Sequence, residues 1–401
     1  MAEHHSLMET DVLVVGAGVA GLSLATALGR EGFAVTVLDG ASRPSAPPGG
    51  VDLSDWDFRV SALTPASIAF LQALGVWQQI PSDRVAPYDA MRVWDADGNG
   101  HIAFDARDVV APCLGQIVEN RQVVYALLKS VEALPRVQLC WDEPLESLSR
   151  APSGWQAVSS GGRCWGASLC VGADGARSRV RQLVDLPTRE WSYGQSAIVG
   201  TVALSSSHQN TCWQAFLRTG PLALLPLSDP AKVAIVWSLD EEEHGQVAAL
   251  QDPDFLRQLN SALAPSAPVA VAIGPRASFP LKQCHAMDYV REGVALVADA
   301  AHSIHPLAGQ GINLGLADVA VLKEELLAAR RGGLLLSSSI SLKRYQRRRK
   351  TENLAMMAAM EGFKRGFGNR HPVALVARNL GLNFVDQQGW LKRWFMRHAL
   401  A

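Results

Sequence analysis

The sequence of 401 residues predicts an α/β fold in two domains (α+β over the whole chain): a Rossmann-like domain with an inserted antiparallel sheet and a helical C-terminal region. Three observations support this. A strand, glycine loop, helix and strand open the chain, short β-like runs cluster between residues 186 and 280, and helical patterns fill the end. We place the first domain at 8–84, 112–186 and 284–340, the second at 85–111 and 187–283, and the helical region at 341–401.

The composition predicts a folded globular protein without a transmembrane helix. Hydrophobic residues make up 48% of the chain, which argues against intrinsic disorder. No apolar run approaches the length of a membrane span, and the first eleven residues lack the pattern of a signal peptide. The six cysteines show no CxxC pair and no metal-finger spacing, so we expect reduced core thiols, no metal site and a cytoplasmic protein.

Charge is distributed unevenly along a chain whose net charge is only −1. Residues 330–401 contain 15 Lys and Arg and three acids, a net charge of +12, which leaves −13 for residues 1–329. Such a separation of charge suggests that the basic tail, residues 330–401, binds an anionic surface. We expect that surface to be the inner face of a membrane or other proteins, and we expect no nucleic acid.

The chain opens with a βαβ pattern that predicts a nucleotide site. A strand at 10–15 leads into GAGVAG, which is followed by a helix at 22–30 and a strand at 33–38. Gly16, Gly18 and Gly21 match GxGxxG, and Asp39 stands 23 residues after the first glycine. The glycines permit close approach to a pyrophosphate, and the carboxylate suits adenosine ribose hydroxyls. The motif does not separate NAD from FAD.

Two later strands also end in an acid followed by glycines. Asp174-Gly175 closes the strand at 168–171, and Asp299 ends the apolar run 294–298, ahead of a glycine-rich loop and a helix. Ligands of open α/β sheets bind at the carboxyl ends of strands, and a helix N-terminus attracts negative charge. Three such loops predict a cradle for a polyhydroxylated, anionic cofactor. For the Asp299 stretch alone, a glycine-rich connection without function remains an alternative.

Four further side chains near these loops are candidates. Arg59 precedes the helix that starts at Thr64-Pro65, and it can reach the cofactor or form a surface salt bridge. Arg121 stands at another helix start and can contact phosphate or ribose. His302 and His305 are near enough in sequence to act as acid or base, but packing beside the loop is the commoner outcome, and we assign them no role.

The middle of the chain predicts a mainly antiparallel sheet. Short β-like runs occupy 197–204, 212–217, 222–227 and 233–239, and a hairpin at 91–105 has Asp-Gly and Asn-Gly turn pairs. Four large side chains of these runs can line an apolar cavity, but for each of them the sheet core is the better interpretation. They are Trp213, Phe216, Leu225 and Trp237.

The last 60 residues predict helices at 342–349, 354–367, 373–385 and 390–396. Five Met and Phe residues at helical spacing suit a lipid tail, and they suit a core-facing stripe at least as well. They are Met356, Met357, Met360, Phe363 and Phe367. The last two helices are basic on one side, and a basic amphipathic segment can lie on an anionic bilayer.

Taken together, these motifs resemble the single-component FAD-dependent aromatic hydroxylases of the p-hydroxybenzoate hydroxylase fold. Within that family the chain resembles the ubiquinone-biosynthesis hydroxylases, closest to the bacterial 2-polyprenylphenol hydroxylases that oxygenate ring C5. The resemblance covers most of the chain, to about residue 350. It is carried by GAGVAG, RVSALTPAS, VWDADGNGHIAFD, LGQIVENR, VGADGARSRVR and ALVADAAHSIHPLAGQGINLG.

The resemblance implies a role for each matching residue. Gly16, Gly18 and Gly21 would hold the FAD pyrophosphate, Asp39 the adenosine ribose, and Asp299 the ribityl chain. Arg59 and Arg121 would contact the nucleotide portion or the flavin, and Asp174 would serve FAD and pyridine nucleotide. The flavin ring would be bordered by Pro306, Gly309, Gln310, Gly311, Ile312 and Asn313. One departure is that the usual Gly-Asp is Ala298-Asp299 here, which raises the possibility of crowding.

The implied reaction is hydroxylation of a polyprenylphenol at C5 through a flavin C4a-hydroperoxide, with O2 as oxidant and no protein nucleophile. Because the chain has no second GxGxxG, NAD(P)H would bind transiently, or a partner reductase would supply electrons. Three alternatives stay open. They are a hydroxylase of a soluble aromatic or of another ring position, an FAD-dependent reductase or dehydrogenase, and a non-catalytic FAD-binding subunit of a biosynthetic assembly.

Overall fold

A computed structural model describes residues 7–152, 154–303, 311–368 and 372–400. The strands within these ranges are β1 (Met8–Val15), β2 (Val35–Leu38), β3 (Val60–Leu63), β4 (Val85–Tyr88), β5 (Ala90–Asp95), β6 (His101–Asp105), β7 (Gly115–Glu119), β8 (Val137–Cys140), β9 (Leu145–Ala151), β10 (Gly154–Ser159), β11 (Cys164–Gly172), β12 (Thr188–Leu204), β13 (Thr211–Leu217), β14 (Gly220–Pro226), β15 (Lys232–Asp240), β16 (Ala270–Ala286), β17 (Val290–Arg291), β18 (Val294–Leu296) and β19 (His302–Ser303).

The helices within the same ranges include one that the sequence did not predict, α5 (Glu241–Ala248). They are α1 (Val19–Arg30), α2 (Pro65–Ala73), α3 (Asn120–Glu132), α4 (Arg179–Leu183), α5 (Glu241–Ala248), α6 (Asp252–Leu263), α7 (Gly311–Arg331), α8 (Ser339–Gly368), α9 (Pro372–Gln387) and α10 (Gly389–Leu400). Helix α2 shows why helix starts are predictable, since Thr64 accepts a hydrogen bond from the Ser67 amide and Pro65 occupies the first helical position.

The first sheet brings the three acid-tipped strands to one edge. Its strand order is β17-β18-β11-β1-β2-β8, with β10 paired to β11 and β9 paired to β10. Strands β18, β11, β1, β2 and β8 run parallel, and Val15 pairs with both Leu38 and Gly172 while Gly172 pairs with Leu296. Four strands therefore end level with one another, and the loops that follow them leave the sheet on the same side.

The second sheet has the order β19-β16-β12-β15-β14-β13-β5-β6 and is antiparallel except where β13 runs parallel to β5. The hairpin β5–β6 thereby pairs with β13, which lies more than 100 residues later in the chain. Strand β19, just after the Asp299 turn, pairs with β16, so the two large sheets are linked beside that turn. A small antiparallel sheet of β3, β7 and β4 completes the β structure of the described residues.

The C-terminal region contains one correction to the prediction. Helices at 342–349 and 354–367 were expected, but α8 runs unbroken from Ser339 to Gly368. The polar stretch at 350–353 does not end the helix, because the buried Asn353 finds hydrogen-bond partners on Asp318 and Arg349. Helices α9 and α10 follow as predicted. The six cysteines are free thiols, and five of them are buried.

Candidate active site

A cavity of about 520 Å³ lies where the loops of the first sheet face the second sheet. One wall is formed by the GxGxxG loop, the loop after β11, the Asp299 turn and the start of α7. The opposite wall is formed by residues of β12, β15 and β16. Residues that line it include Gly18, Arg59, Gly175, Val199, Val236, Phe279, Lys282, Ala298, Asp299, Gly311 and Ile312. Of the residues predicted to contact a cofactor, Gly18, Arg59, Asp299, Gly311 and Ile312 therefore border the same cavity as the second sheet, whereas Asp39 and Asp174 do not line it.

The glycine loop leaves backbone exposed to this cavity. Gly16 has a φ of +105°, and a Cβ there would lie 2.4 Å from the Ala173 carbonyl oxygen. A Cβ on Gly21 would lie 1.9 Å from the Gly16 carbonyl oxygen, whereas one on Gly18 would meet nothing within 4 Å. Gly18 precedes α1 and provides no side-chain cap, so the first amides of α1 remain available to an anion.

Asp39 and Asp174 hold the loops in which they lie. Asp39 accepts hydrogen bonds from the amides of Ala17, at 2.6 Å, and Ala41, at 2.8 Å. One oxygen of Asp174 accepts from the amides of Arg179 and Val180 at the start of α4, and its other oxygen is buried without a partner in the described residues. Burial raises the pKa of the Asp174 carboxyl, although these hydrogen bonds oppose the shift.

The Asp299 turn presents an unpartnered carboxylate to the cavity. Asp299 lies in a short 3-10 turn, its side chain is exposed to the cavity, and no described protein group donates a hydrogen bond to it. Because it lies deep in the protein, desolvation raises its pKa, while His302 and Arg59 act in the opposite direction. A carboxylate with open acceptor positions is suited to sugar or ribityl hydroxyls.

Ala298, where the resemblance implied a glycine, adopts a left-handed conformation with φ +53°. This conformation costs a residue with a Cβ about 1–2 kcal/mol. The Ala298 methyl also faces α7, since a Cβ on Gly315 would lie 2.8 Å from it. A residue larger than glycine at position 315 would therefore meet the methyl of Ala298, a residue that also borders the cavity.

A buried polar cluster supports this turn. Asp318 accepts hydrogen bonds from the Ala298 amide, from His302 Nε2 at 2.5 Å and from Arg349 Nε at 2.7 Å. Burial would raise the pKa of the Asp318 carboxyl, but His302 and Arg349 together hold it below its usual value. Asn353 also donates to Asp318. His302 therefore packs in a structural network, which agrees with leaving it out of the chemistry.

Two positively charged side chains line the cavity, whereas Arg121, which was also expected near the cofactor, makes its contacts elsewhere. Arg59 and Lys282 both border the space, and neither is within salt-bridge distance of a carboxylate in the described residues. Arg59 thus does not form the salt bridge that was the alternative interpretation. Arg121 donates to Glu119 at 2.7 Å and to the Asp55 carbonyl oxygen, and it does not line the cavity. The sequence contains no motif that would have predicted Lys282 as a cavity residue. Which side of the sheet its side chain lies on becomes known only from the assembled sheet.

Asn313 and the first residues of α7 lie beside the Asp299 turn and the small sheet. The Asn313 side chain donates to the Ala62 carbonyl oxygen at 2.7 Å and accepts from the Thr64 amide at 3.1 Å, so it fastens α7 to β3 and α2. Gly311 and Ile312 line the cavity at the start of α7. The remaining expected positions lie outside the described residues, namely His305, Pro306, Gly309 and Gln310.

Apart from Lys282, the second-sheet wall is formed mainly by apolar residues, but they are not the predicted ones. Val199, Val236 and Phe279 border the cavity. The four candidates from the sequence lie in core clusters instead: Trp213 and Trp237 on the side of α6, Leu225 under the small sheet, and Phe216 stacked on Phe367. The core interpretation of those four is therefore the correct one.

Comparison with known proteins assigns this arrangement to a family. A sequence profile described as "FAD binding domain" matches residues 9–359. The chain belongs to this FAD-binding family. It is 38% identical over 395 residues to "3-demethoxyubiquinol 3-hydroxylase" of Escherichia coli (strain K12), with 98% of both chains covered. It is 36% identical over 391 residues to "Ubiquinone hydroxylase UbiL" of Rhodospirillum rubrum, covering 98% of this chain and 89% of that protein.

Solved structures agree on the fold. p-Nitrophenol 4-monooxygenase PnpA from Pseudomonas putida DLL-E4 superposes with a TM-score of 0.80 at 19% identity, covering 98% of this chain and 99% of that one. The family assignment makes the protein an FAD-dependent monooxygenase, of the class that uses O2 and typically NAD(P)H. The observed cavity fits FAD, since it combines uncapped amides of α1, an open Asp299 carboxylate and an unpaired Arg59.

Proposed function

We propose that this FAD-dependent monooxygenase inserts one oxygen atom into the ring of a polyprenylated phenol or hydroquinone during ubiquinone biosynthesis. The observation that carries the proposal is the shared cavity, in which polar loops of the FAD family face an apolar wall of Val199, Val236 and Phe279. An aromatic ring bound against that wall would lie beside the cofactor loops. The names of the relatives in E. coli and R. rubrum support a ubiquinone-pathway substrate.

In this proposal the following residues bind FAD. The uncapped amides at the start of α1, after Gly18, meet the pyrophosphate, with Gly21 permitting the close packing of α1. Asp39 meets the adenosine ribose, Asp299 the ribityl chain and Arg59 the pyrophosphate or flavin. The remaining cofactor contacts are assigned to Arg121, Asp174, Pro306, Gly309, Gln310, Gly311, Ile312 and Asn313. Arg121 would have to exchange its Glu119 contact for the nucleotide.

When bound and reduced, FAD would supply the oxygen activation; the balanced reaction consumes one O2, two electrons and two protons, places one oxygen atom on the ring and releases the other as water. The chain's own part is to bind and orient the ring and to keep water away from the reacting atoms. The first amides of α7, from Gly311 onward, are placed to stabilise negative charge as it develops. No acid or base is assigned, because His302 is held by Asp318.

The hydroxylated carbon has two candidates. The motif resemblance favours C5 of a 2-polyprenylphenol, and the E. coli relative is named for a 3-demethoxyubiquinol. The test is to reconstitute the purified protein with FAD and supply NADPH, or a reductase, with short-tailed versions of both substrates. We expect labelled oxygen from O2 in the ring of one product, and mass spectrometry with NMR identifies the carbon.

The same experiment separates the alternatives. Product that lacks labelled oxygen would indicate a reductase or dehydrogenase. Equal turnover of tail-free phenols would indicate a soluble substrate. Tight FAD binding without turnover of either substrate would indicate a non-catalytic subunit.

We further propose that the protein lies peripherally on the inner face of a membrane, where a polyprenylated substrate resides. The net charge of +12 in residues 330–401 supports this, since basic segments bind anionic lipid. No helix in the described ranges is long and apolar enough to cross a bilayer. Vesicle flotation over a salt series tests the proposal, and binding that depends neither on salt nor on the tail would contradict it.

A further inference from the structure

Helix α9 is attached to the β5–β6 hairpin through polar side chains. Arg378 donates to Asp95 at 2.6 and 2.8 Å, and both side chains are buried. Asn379 donates to the same carboxylate at 2.9 Å. One turn further on, Asn383 accepts from the His101 amide, and two turns further on, Asp386 accepts from the Ala103 amide, each at 3.0 Å. The side of α9 that faces the protein is thus rich in polar contacts, with Leu382 and Val385 packed between them.

Four large apolar side chains are exposed on α9 and on the helix that follows it, α10. Leu380 and Phe384, one helical turn apart on α9, are 64% and 57% exposed. Trp390 and Trp394, one turn apart on α10, are 65% and 51% exposed. Helix α10 is held from its other side, where Met396 is buried against Ala106 and Leu114. Four large apolar side chains that are each more than half exposed thus lie on helices whose described inner residues are packed, and such a cluster is typical of a binding surface.

We propose that this outward face, Leu380, Phe384, Trp390 and Trp394, seats the protein in the interfacial layer of a bilayer containing anionic lipid. The inference deepens the proposed function and rests on it, because it names the surface by which a lipid-tailed substrate is met. Tryptophan is enriched at the membrane–water interface, where its ring is half in hydrocarbon. Arg393, exposed between the two tryptophans in the sequence, supplies a cation for lipid phosphate.

Several basic residues of the tail form salt bridges within the protein, so apolar contacts, rather than charge alone, would hold the tail on a membrane. Arg348 is paired with Glu324 and Glu325, and Lys392 with Asp108 at 3.1 Å. Arg349 and Arg378 are likewise committed to buried acids. A substantial part of the +12 is therefore neutralised within the fold. Salt should weaken membrane binding, and removal of the four apolar side chains should weaken it more.

The position of this face suits delivery from a membrane to the cavity. Val236, which lines the cavity, packs in an apolar cluster together with Met91 of β5. Met91 also packs in the cluster that contains Met396 of α10. Apolar side chains therefore extend without interruption from the second-sheet wall of the cavity to the helix that carries Trp390 and Trp394.

The experiment uses the full-length FAD-loaded protein and vesicles of phosphatidylcholine mixed with phosphatidylglycerol. The variant L380S/F384S/W390S/W394S is compared with the control V269S/V271S/L335S, whose three side chains are each more than half exposed elsewhere on the protein. We expect the vesicle partition coefficient to fall at least about tenfold in the variant and to stay unchanged in the control. The double variant L380S/F384S, which leaves α10 intact, should show an intermediate loss.

Three results would overturn the inference. One is that the quadruple and the double variant both bind vesicles with the wild-type partition coefficient. Another is that the control variant loses as much vesicle binding as the quadruple variant. The third is a wild-type protein that ignores lipid vesicles but forms an oligomer that the variant abolishes, which would make a second copy of the chain the occupant. Turnover of a water-soluble, short-tailed substrate is measured in parallel. If that turnover is absent in the wild type while vesicle binding still requires the four side chains, the proposed reaction fails and the membrane surface stands.

Discussion

The carboxylate of Asp318 accepts a hydrogen bond of 2.9 Å from the backbone amide of Ala298, twenty residues earlier in the chain. A fully buried acid on α7 thereby holds the turn that presents Asp299 to the cavity. The same carboxylate binds Arg349 on α8 and His302 on β19. The position of Asp299 is consequently set by three elements that contact one another only in the folded protein.

Replacement of Asp318 by Asn should therefore disturb both stability and FAD binding. Arg349 would remain buried without a full counter-charge, and we expect a loss of about 3 kcal/mol in the free energy of unfolding. Denaturant titration measures the stability, and flavin fluorescence measures the dissociation constant of FAD. The matched control is Glu352→Gln, which removes the exposed partner of Arg349 and should cost less than about 1 kcal/mol. Equal costs for the two variants would contradict this account.

Ala298→Gly should relieve the left-handed backbone at that residue. We expect a gain of about 0.5–1 kcal/mol in stability, because the greater freedom of glycine in the unfolded chain offsets part of the relief. A double-mutant cycle sharpens the test. Gly315→Ala should be destabilising alone, since its Cβ would lie 2.8 Å from the Ala298 methyl, and much less so in the Ala298→Gly background. Strict additivity of the two changes would refute the proposed contact.

The glycine loop provides a matched pair of variants. Gly21→Ala places a methyl 1.9 Å from the Gly16 carbonyl oxygen, and backbone cannot move aside cheaply, so we expect a loss of at least about 2 kcal/mol and of bound flavin. Gly18→Ala meets nothing within 4 Å, so the protein should fold normally while binding FAD more weakly through the added methyl. Thermal unfolding without FAD, followed by flavin titration, distinguishes the two effects.

His285 should make stability depend on pH. Burial, with His302, Lys350 and Arg189 nearby, lowers its pKa from 6.5 to about 4. The unfolded chain therefore takes up a proton between pH 6.5 and 4 that the folded protein does not, and stability is lost as the pH falls through this window. The loss should be on the order of 1–3 kcal/mol. His285→Gln should flatten the stability curve in this window, and unchanged curvature would show that other groups cause the dependence.

Val236→Trp tests the apolar wall of the cavity. The larger side chain would occupy space where the proposal places the aromatic ring, so we expect at least a tenfold rise (about 1.4 kcal/mol) in the KM for substrate with little change in FAD content. Val233→Leu, on the same strand in the α6-side core, is a control for general effects on the sheet. A KM unaffected by Val236→Trp would place the substrate elsewhere.

Local patterns in the sequence determined the elements and the cofactor class. The GxGxxG loop, the acids at 39, 174 and 299, the hairpin and the last helices were all predictable, because each depends on residues within about thirty positions of one another. The common edge of the acid-tipped strands was also predictable, since parallel strands in such sheets end at one side.

Only the tertiary structure decided how side chains are used. It pairs Arg121 with Glu119, fastens Asn313 to β3, joins α8 into one helix around Asn353 and buries Trp213 and Trp237 away from the cavity. It also turns the polar side of α9 inward and leaves Leu380 and Phe384 outside. These outcomes rest on contacts between residues tens to hundreds of positions apart, and the partner of a side chain is settled only when packing brings the distant segment to it.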